Sequence, residues 1–145
     1  MTDSWKIVLP RVPISANRLL RMHWHDRLEL LGEWQHDVYY LCKGQGIPKL
    51  AHIMAYATIY FKDKRKRDQD NFEFGLRKLL GDSLKGVVIF DDDPSYLTWG
   101  ETIFAHDRKN PRTEITITEC GIMPSAGETL PDFLSGAVAN SPALY

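Results

Sequence analysis

The segment that most constrains the fold is residues 52–61, where apolar and polar positions alternate before the chain enters a charged run and then a helical pattern. Period-two alternation that includes Ile, Thr and Tyr is typical of a β-strand with one face on the core. The expected inner residues are Ile53, Ala55, Ala57, Ile59 and Phe61. A strand that leads within about ten residues into a helix indicates an α/β fold.

Two main helices are predicted. Residues 26–43 carry leucines and a valine at helical spacing and end near Gly44 and Gly46. A second helix is expected to begin at Asn71. Its buried stripe comprises Phe72, Leu76, Leu79, Leu80 and Leu84, and that of the first helix comprises Leu28, Leu31, Val38 and Leu41. The first helix also carries aromatic residues, which are expected in the core rather than stacked on bases: Trp34, Tyr39 and Tyr40.

Three further strands are predicted at residues 5–9, 96–105 and 113–119, the last two as a hairpin. The chain of 145 residues is long enough for one domain with a substantial core. We therefore expect a single α/β domain over residues 1–120, with a mixed sheet of four or five strands and two main helices packed on it. Residues 121–145, rich in Pro, Ser, Gly and Ala, are expected to form a flexible or loosely packed tail.

Two groups of aspartates are joined by the second helix. Asp68 and Asp70 are two residues apart, and on an extended chain that spacing sends both carboxylates to one side. Residues 91–93 are three consecutive aspartates that follow the apolar run 87–90 and precede Pro94. The two groups can converge on one hard cation, and carboxylate oxygens are the ligands that Mg²⁺ prefers.

A structural explanation competes with this one, because Asp also caps helices and starts turns. Asp70 would then be only a helix N-cap, and residues 91–93 only a solvated loop. Five cations in the six residues before Asp68 favour instead a polyanion held against a bound metal. They are Lys62, Lys64, Arg65, Lys66 and Arg67. Together these features indicate phosphodiester chemistry.

The net charge of −1 is low for DNA binding, which usually leaves a basic surplus. Residues 123–145 hold two acidic and no basic side chains, so the rest of the chain has 18 basic against 17 acidic ones. Several of those acids belong to the predicted metal site, where a bound cation would offset them.

Taken in order, the motifs resemble the RusA family of Holliday junction resolvases. The R-D-x-D-N sequence at residues 67–71, Lys78 on the next helix, the segment 82–88 and the pair Asp91 and Asp92 follow the order of that family. The family's N-terminal signature, P-x-S-x-N and then R-x-H, is present at residues 13–17 and 21–23. The resemblance covers roughly residues 5–119.

This resemblance implies that Asp68, Asp70 and Asp92 bind Mg²⁺, for which Mn²⁺ can substitute. Asp91 and Asp93 stay open as alternatives to Asp92, because the family usually has two aspartates at this point. If residues 87–90 continue extended into the turn, Asp92 faces away from both of its neighbours.

The family's lysine falls on Lys78 when counted back from Asp82, whereas counting forward from the motif reaches Phe74. Lys78 is therefore either a positive charge near the scissile phosphate or a solvated side chain. The resemblance also implies a DNA surface made of the basic run, Asn71 and the segment of residues 18–25. The candidates in that segment are Arg18, Arg21 and His23, with His25 beside them.

The implied function is a Mg²⁺-dependent endodeoxyribonuclease that resolves four-way DNA junctions by paired nicks, in recombination and repair. Two symmetric nicks need two sites related by a twofold axis, so a homodimer is expected. No organic cofactor is expected. No apolar run approaches the ~20 residues of a membrane span, and we expect a cytoplasmic protein, encoded by a bacterium or a phage. The alternatives are a flap or single-strand nuclease on the same scaffold and a non-catalytic nucleic-acid-binding protein.

Overall fold

The structure, a computed structural model, describes residues 3–120; the predicted tail at 121–145 lies outside the described residues. The described elements are β1 (Ser4–Leu9), α1 (Ala16–Arg21), α2 (Trp24–Gly44), β2 (Ile53–Phe61), α3 (Gln69–Leu84), β3 (Leu97–His106) and β4 (Arg112–Glu119). The prediction of a single α/β domain with a mixed sheet and two main helices is confirmed, and the sheet has four strands. The short helix α1 is an additional element that the helical spacing did not predict.

The sheet has the order β1-β4-β2-β3, so the predicted hairpin of β3 with β4 is wrong. β3 pairs with β2 in parallel, because α3 connects these two strands and returns the chain in the same direction. β4 pairs antiparallel with both β2 and β1. The connection from β3 to β4 passes the end of β2, where the Asp107 amide donates to the Phe61 carbonyl at 2.7 Å.

One hydrophobic cluster lies between the sheet and the two long helices. The predicted inner face of β2 is buried at every position. The two helices add Trp34, Val38, Cys42, Leu76, Leu79, Leu80 and Leu84. Leu28, Tyr39 and Tyr40 are exposed instead, so their predicted core placement is wrong: α2 buries a narrower stripe than its apolar residues would cover.

The two acidic groups are associated with opposite ends of β2. The basic run and Asp68 follow the carboxyl end of β2, whereas the segment after α3 runs back to the amino end of β2. There the Leu50 amide donates to the Val88 carbonyl at 2.7 Å, and the Ile53 amide donates to the Tyr96 carbonyl at 3.0 Å. The acidic residues 91–93 therefore lie near the opposite end of the sheet from Asp68. Within residues 3–120, no helix combines the length and the apolar character that a membrane crossing requires.

Candidate active site

Asp68 and Asp70 lie at the amino end of α3. Asp68 is the N-cap, and its Oδ1 accepts a hydrogen bond from the Asn71 amide at 3.2 Å. Asp70 is in the first helical turn, and both side chains are exposed. The helix begins at Gln69, so the expected strand-like alternation of the two carboxylates is wrong. Their negative charges are instead stabilised by the positive end of the helix dipole.

The beginning of α1 is fixed to the first turns of α3 by two contacts. The Oδ1 of Asn71 accepts a hydrogen bond from the Asn17 amide at 3.0 Å. One turn later, Gly75 approaches the Ile14 carbonyl oxygen so closely that a methyl group at this position would overlap it. Asn71, predicted as a DNA contact, thus holds α1 beside the two aspartates.

The DNA candidates of α1 and its C-terminal flank lie on this docked segment. Arg18 and Arg21 are exposed. Ser15 caps the helix, with its Oγ accepting from the Arg18 amide at 3.2 Å. His23 has a structural contact, because it is the N-cap of α2 and its Nδ1 accepts from the His25 amide at 3.1 Å.

The basic run divides into four exposed cations and one that is folded inward. Lys62, Lys64, Arg65 and Lys66 are exposed, and the exposed fraction of the Arg65 side chain is 71%. Arg67 is only 13% exposed and lies over the Phe61 ring, with the guanidinium carbon 4.0 Å from the ring centroid.

Asp63 holds this loop together. Its Oδ1 accepts from the Arg65 amide at 3.0 Å and from the Arg67 guanidinium at 2.8 Å. The hydrogen bond from the Arg65 amide, followed by that from the Arg67 side chain, lowers the pKa of the Asp63 carboxyl. Arg67 also donates to the Arg65 carbonyl at 2.8 Å. We conclude that Arg67 and Asp63 shape the loop that presents the other four cations.

A pocket of about 210 Å³ lies between this loop and the end of β3. Aromatic, cationic and acidic side chains share its lining, which consists of Phe61, Asp63, Lys64, Arg65, Arg67, Phe104, Ala105 and His106. It is a recess in the same basic surface.

The second acidic group lies in a turn and not on an extended chain. Val88 and Ile89 are consecutive and both buried, and the amides of Val87 and Val88 donate to the Leu84 carbonyl at 3.0 and 3.1 Å. The alternation expected for residues 91–93 therefore does not apply. Their orientations follow instead from separate local contacts.

Each of the three consecutive aspartates has its own environment. Asp91 lies 3.5 Å from the Lys85 ammonium and accepts from the Asp92 amide at 2.7 Å. Asp93 accepts from the Ser95 amide at 2.8 Å and so closes the turn. Asp92 packs against α3, and a methyl group at Gly81 would come within 2.9 Å of its Oδ2.

The pKa of Asp92 is raised. Burial is the main cause, and the neighbouring carboxyls of Asp91 and Asp82 add to it. An acidic side chain in this setting favours either a proton or a cation beside it. Asp92 is accordingly the member of the group whose surroundings best suit a metal ligand.

The structure does not bring Asp92 to Asp68 and Asp70 within one chain. Gly81 is thirteen residue steps along α3 from Asp68, which corresponds to about 20 Å along the helix axis. Among residues 3–120, no group of three or more His, Cys, Asp or Glu side chains lies close enough together to hold a metal ion. The expected convergence of the two acidic groups therefore does not occur within the described chain.

Lys78 lies between the two groups on the exposed side of α3. Its side chain is 62% exposed, and its Nζ is 4.0 Å from Asp82 Oδ2. Four residues earlier, the Phe74 ring is 59% exposed, and Asp70 is exposed four residues before that. Spacings of four place Asp70, Phe74 and Lys78 in one stripe along the helix.

The glycines of α3 were missed as site-building residues, although a glycine inside a helical pattern is itself a signal of close packing. Because Gly75 has no side chain, the segment that leads into α1 can pack directly on α3. In the same way, Gly81 leaves space for the Asp92 side chain. Nothing in the local sequence identifies which segment approaches either glycine.

No protein-family model matches the chain, and no curated protein is significantly similar to it. The function proposed below therefore depends on the motifs and the geometry of this chain.

Proposed function

We propose that the protein is a Mg²⁺-dependent endonuclease of branched DNA that resolves four-way junctions as a homodimer. The observation that carries the proposal is the setting of Asp68 and Asp70. Two exposed carboxylates lie at the positive end of a helix; the exposed cations of residues 62–66 precede them in the chain, and α1 is hydrogen-bonded to Asn71 in the same helical turn. Such cations bind DNA phosphates without regard to sequence and bring the backbone to the carboxylates.

The carboxylates suit Mg²⁺, which binds oxygen ligands and usually keeps several waters. Asp68 and Asp70 would hold it from one chain, and the bound ion would supply an activated water and stabilise charge on the phosphodiester. Within residues 3–120, one protomer brings no third carboxylate to this pair, because its own Asp92 lies at the other end of α3.

A second copy of the chain supplies the missing carboxylate in this proposal. Asp70, Phe74 and Lys78 form a self-complementary stripe: when two α3 helices cross antiparallel at Phe74, each Asp70 meets the partner subunit's Lys78. Gly81 is seven residues after Phe74 and thus on the same helix face. Asp92, packed on Gly81, then approaches Asp68 and Asp70 of the other protomer, and the twofold axis creates two equal sites.

Complementation between inactive variants tests the shared site. Asp70→Asn and Asp92→Asn homodimers should each fail to cleave a junction in Mg²⁺, because each lacks one ligand in both sites. A purified heterodimer of the two has one intact site and should nick at about half the wild-type rate.

The matched control is a heterodimer of Asp68→Asn with Asp70→Asn, which has no intact site and should stay inactive. An inactive Asp70→Asn/Asp92→Asn heterodimer, alongside an active wild type, would show that the sites are not shared between protomers.

Matched substrates test the function itself. Wild-type protein should cut a four-way junction by paired nicks and should cut a flap or a linear duplex of the same sequence far more slowly. Preferred cutting of the flap or of single strands would identify another nuclease. Binding of DNA without cleavage in Mg²⁺ or Mn²⁺ would identify a non-catalytic protein. With DNA as its substrate, the protein would act in the cytoplasm of a bacterium or of a phage-infected cell.

A further inference from the structure

Trp24 is a large aromatic side chain that the fold leaves in solvent. It is the first residue of α2, and its exposed fraction is 59%. The rings of His23 and His25 flank it, with centroids 5.6 and 5.8 Å from the indole. The neighbouring Leu20 and Leu28 are exposed as well. The indole thus contacts the two histidine rings while most of its surface stays in solvent.

The residues that immediately precede Trp24 in the sequence are basic or neutral. From Ile14 to His25 the chain has two arginines and two histidines and no acidic residue. The amino end of the 21-residue helix α2 adds the positive end of its dipole. The first carboxylate after Trp24 is that of Asp26, whose Oδ1 is 4.0 Å from His25 Nδ1. An exposed indole close in sequence to two exposed arginines matches an anionic partner that offers flat apolar faces, which is nucleic acid.

Trp24 also lies near the proposed cleavage site. The Asn17–Asn71 hydrogen bond fixes one end of α1 to the turn that carries Asp68 and Asp70. Between Asn17 and Trp24 there are four helical steps and three further residues, which span at most about 17 Å. The guanidinium of Arg27 donates to the Leu19 carbonyl at 3.3 Å and ties α2 to α1. Trp24 therefore lies at most about 17 Å from Asn17, which is bonded to the helical turn that carries the two carboxylates.

We propose that Trp24 stacks on an unpaired or unstacked base at the branch point of the DNA and so selects branched over linear DNA. This inference rests on the proposed function and adds the recognition element that the carboxylates and lysines lack. A continuous duplex offers phosphates but no free base faces, whereas a branch point offers both. Stacking of one base on an aromatic side chain contributes about 1–3 kcal/mol.

The test measures binding without cleavage, in EDTA, to a four-way junction and to a linear duplex of the same sequence. Trp24→Ala should weaken junction binding by about five- to 150-fold, the range that 1–3 kcal/mol implies, and leave duplex binding within about twofold. Trp24→Phe should retain most of the junction affinity. The slope of log affinity against log salt should not change, since stacking releases no counterions.

Tyr40→Ala is the matched control, because Tyr40 is an equally exposed aromatic residue of α2 (61%) about 24 Å further along that helix. It should leave both affinities unchanged. A 2-aminopurine placed at the branch point should be quenched by wild-type protein and not by Trp24→Ala.

Three results would overturn the inference: unchanged junction binding in Trp24→Ala, an equal loss for junction and duplex, or conversion of the variant to a monomer, which would make Trp24 a protein contact. If Trp24→Ala binds normally while the wild type cleaves junctions, only this inference fails. If the wild type neither binds nor cleaves branched DNA, the proposed function fails with it.

Discussion

At the scale of single residues, the three consecutive aspartates have different environments because each makes different contacts. Asp91 faces Lys85, Asp93 closes a turn, and Asp92 is pressed against the helix at Gly81. The pKa of Asp92 is raised, because burial and nearby carboxyls disfavour its charge. The proposal that Asp92 is the metal ligand, first implied by the family resemblance, therefore gains a physical argument that the residue spacing alone could not give.

We predict that Asp92→Asn abolishes cleavage and yet stabilises the metal-free protein at neutral pH. A raised carboxyl pKa in the folded state means that stability falls as the pH rises from the ordinary aspartate value through the raised one. Asparagine removes this unfavourable charge, so in EDTA the melting temperature at pH 7 should be higher for Asp92→Asn than for the wild type. The gain should shrink as the pH falls towards the ordinary aspartate pKa, because protonation then removes the charge that burial disfavours.

Asp93→Asn is the control, because it alters the turn contact with the Ser95 amide and should bring no gain in stability. Equal melting curves for Asp92→Asn and the wild type at every pH would contradict the assigned surroundings of Asp92.

At the scale of elements, the position of α1 depends on a glycine of α3. Gly75→Ala would place a methyl group on the Ile14 carbonyl oxygen, which belongs to the backbone and cannot rotate away. We expect a loss of about 1–3 kcal/mol in the free energy of unfolding, together with weaker DNA binding through α1.

Gly32→Ala in α2 is the matched control, since a methyl group there has open space around it. It should stabilise the protein by about 0.5–1 kcal/mol through helix propensity alone. Chemical denaturation of both variants measures the difference, and equal effects would disprove the close contact at Gly75.

The basic loop is the second element that can be tested as a unit. Replacing Lys64, Arg65 and Lys66 with alanine should weaken binding to junction and duplex alike. The slope of log affinity against log salt should fall by up to about three, one unit for each phosphate that the loop no longer neutralises. Lys43→Ala with Lys49→Ala, two exposed cations elsewhere, should leave the slope unchanged. An unchanged slope in the triple variant would make the loop a solvated surface that does not touch DNA.

At the scale of the whole molecule, the proposed dimer explains why one chain separates its acidic groups. Phe74→Glu would oppose two carboxylates at the centre of the α3 crossing and remove its aromatic anchor. We expect the dimer to weaken by at least about a hundredfold, with loss of cleavage at concentrations where the variant is monomeric. Analytical ultracentrifugation gives the dissociation constant.

Tyr40→Glu is the control, because Tyr40 is as exposed as Phe74 and lies on α2. It should remain a dimer. A dimeric, active Phe74→Glu variant would exclude the antiparallel α3 crossing.

The sequence by itself determined the features that depend on local periodicity. The inner face of β2, the buried stripe of α3 and the α/β class follow from residue spacing, because spacing decides which side chains share a face. The exposure of Lys64, Arg65 and Lys66 was also predictable from the sequence, because charged side chains without buried partners stay in water.

Only the tertiary structure decided how distant segments meet. β4 lies between β1 and β2, so β3 and β4 are apart although they are neighbours in sequence. Leu28 and Tyr40 are exposed because no other helix or strand in the described part of the chain covers them, which no helical pattern can reveal. The two acidic groups lie at opposite ends of α3 because the chain returns to the start of β2 after the helix. Strand pairing and helix docking join residues far apart in sequence, and their energies depend on which surfaces meet in three dimensions.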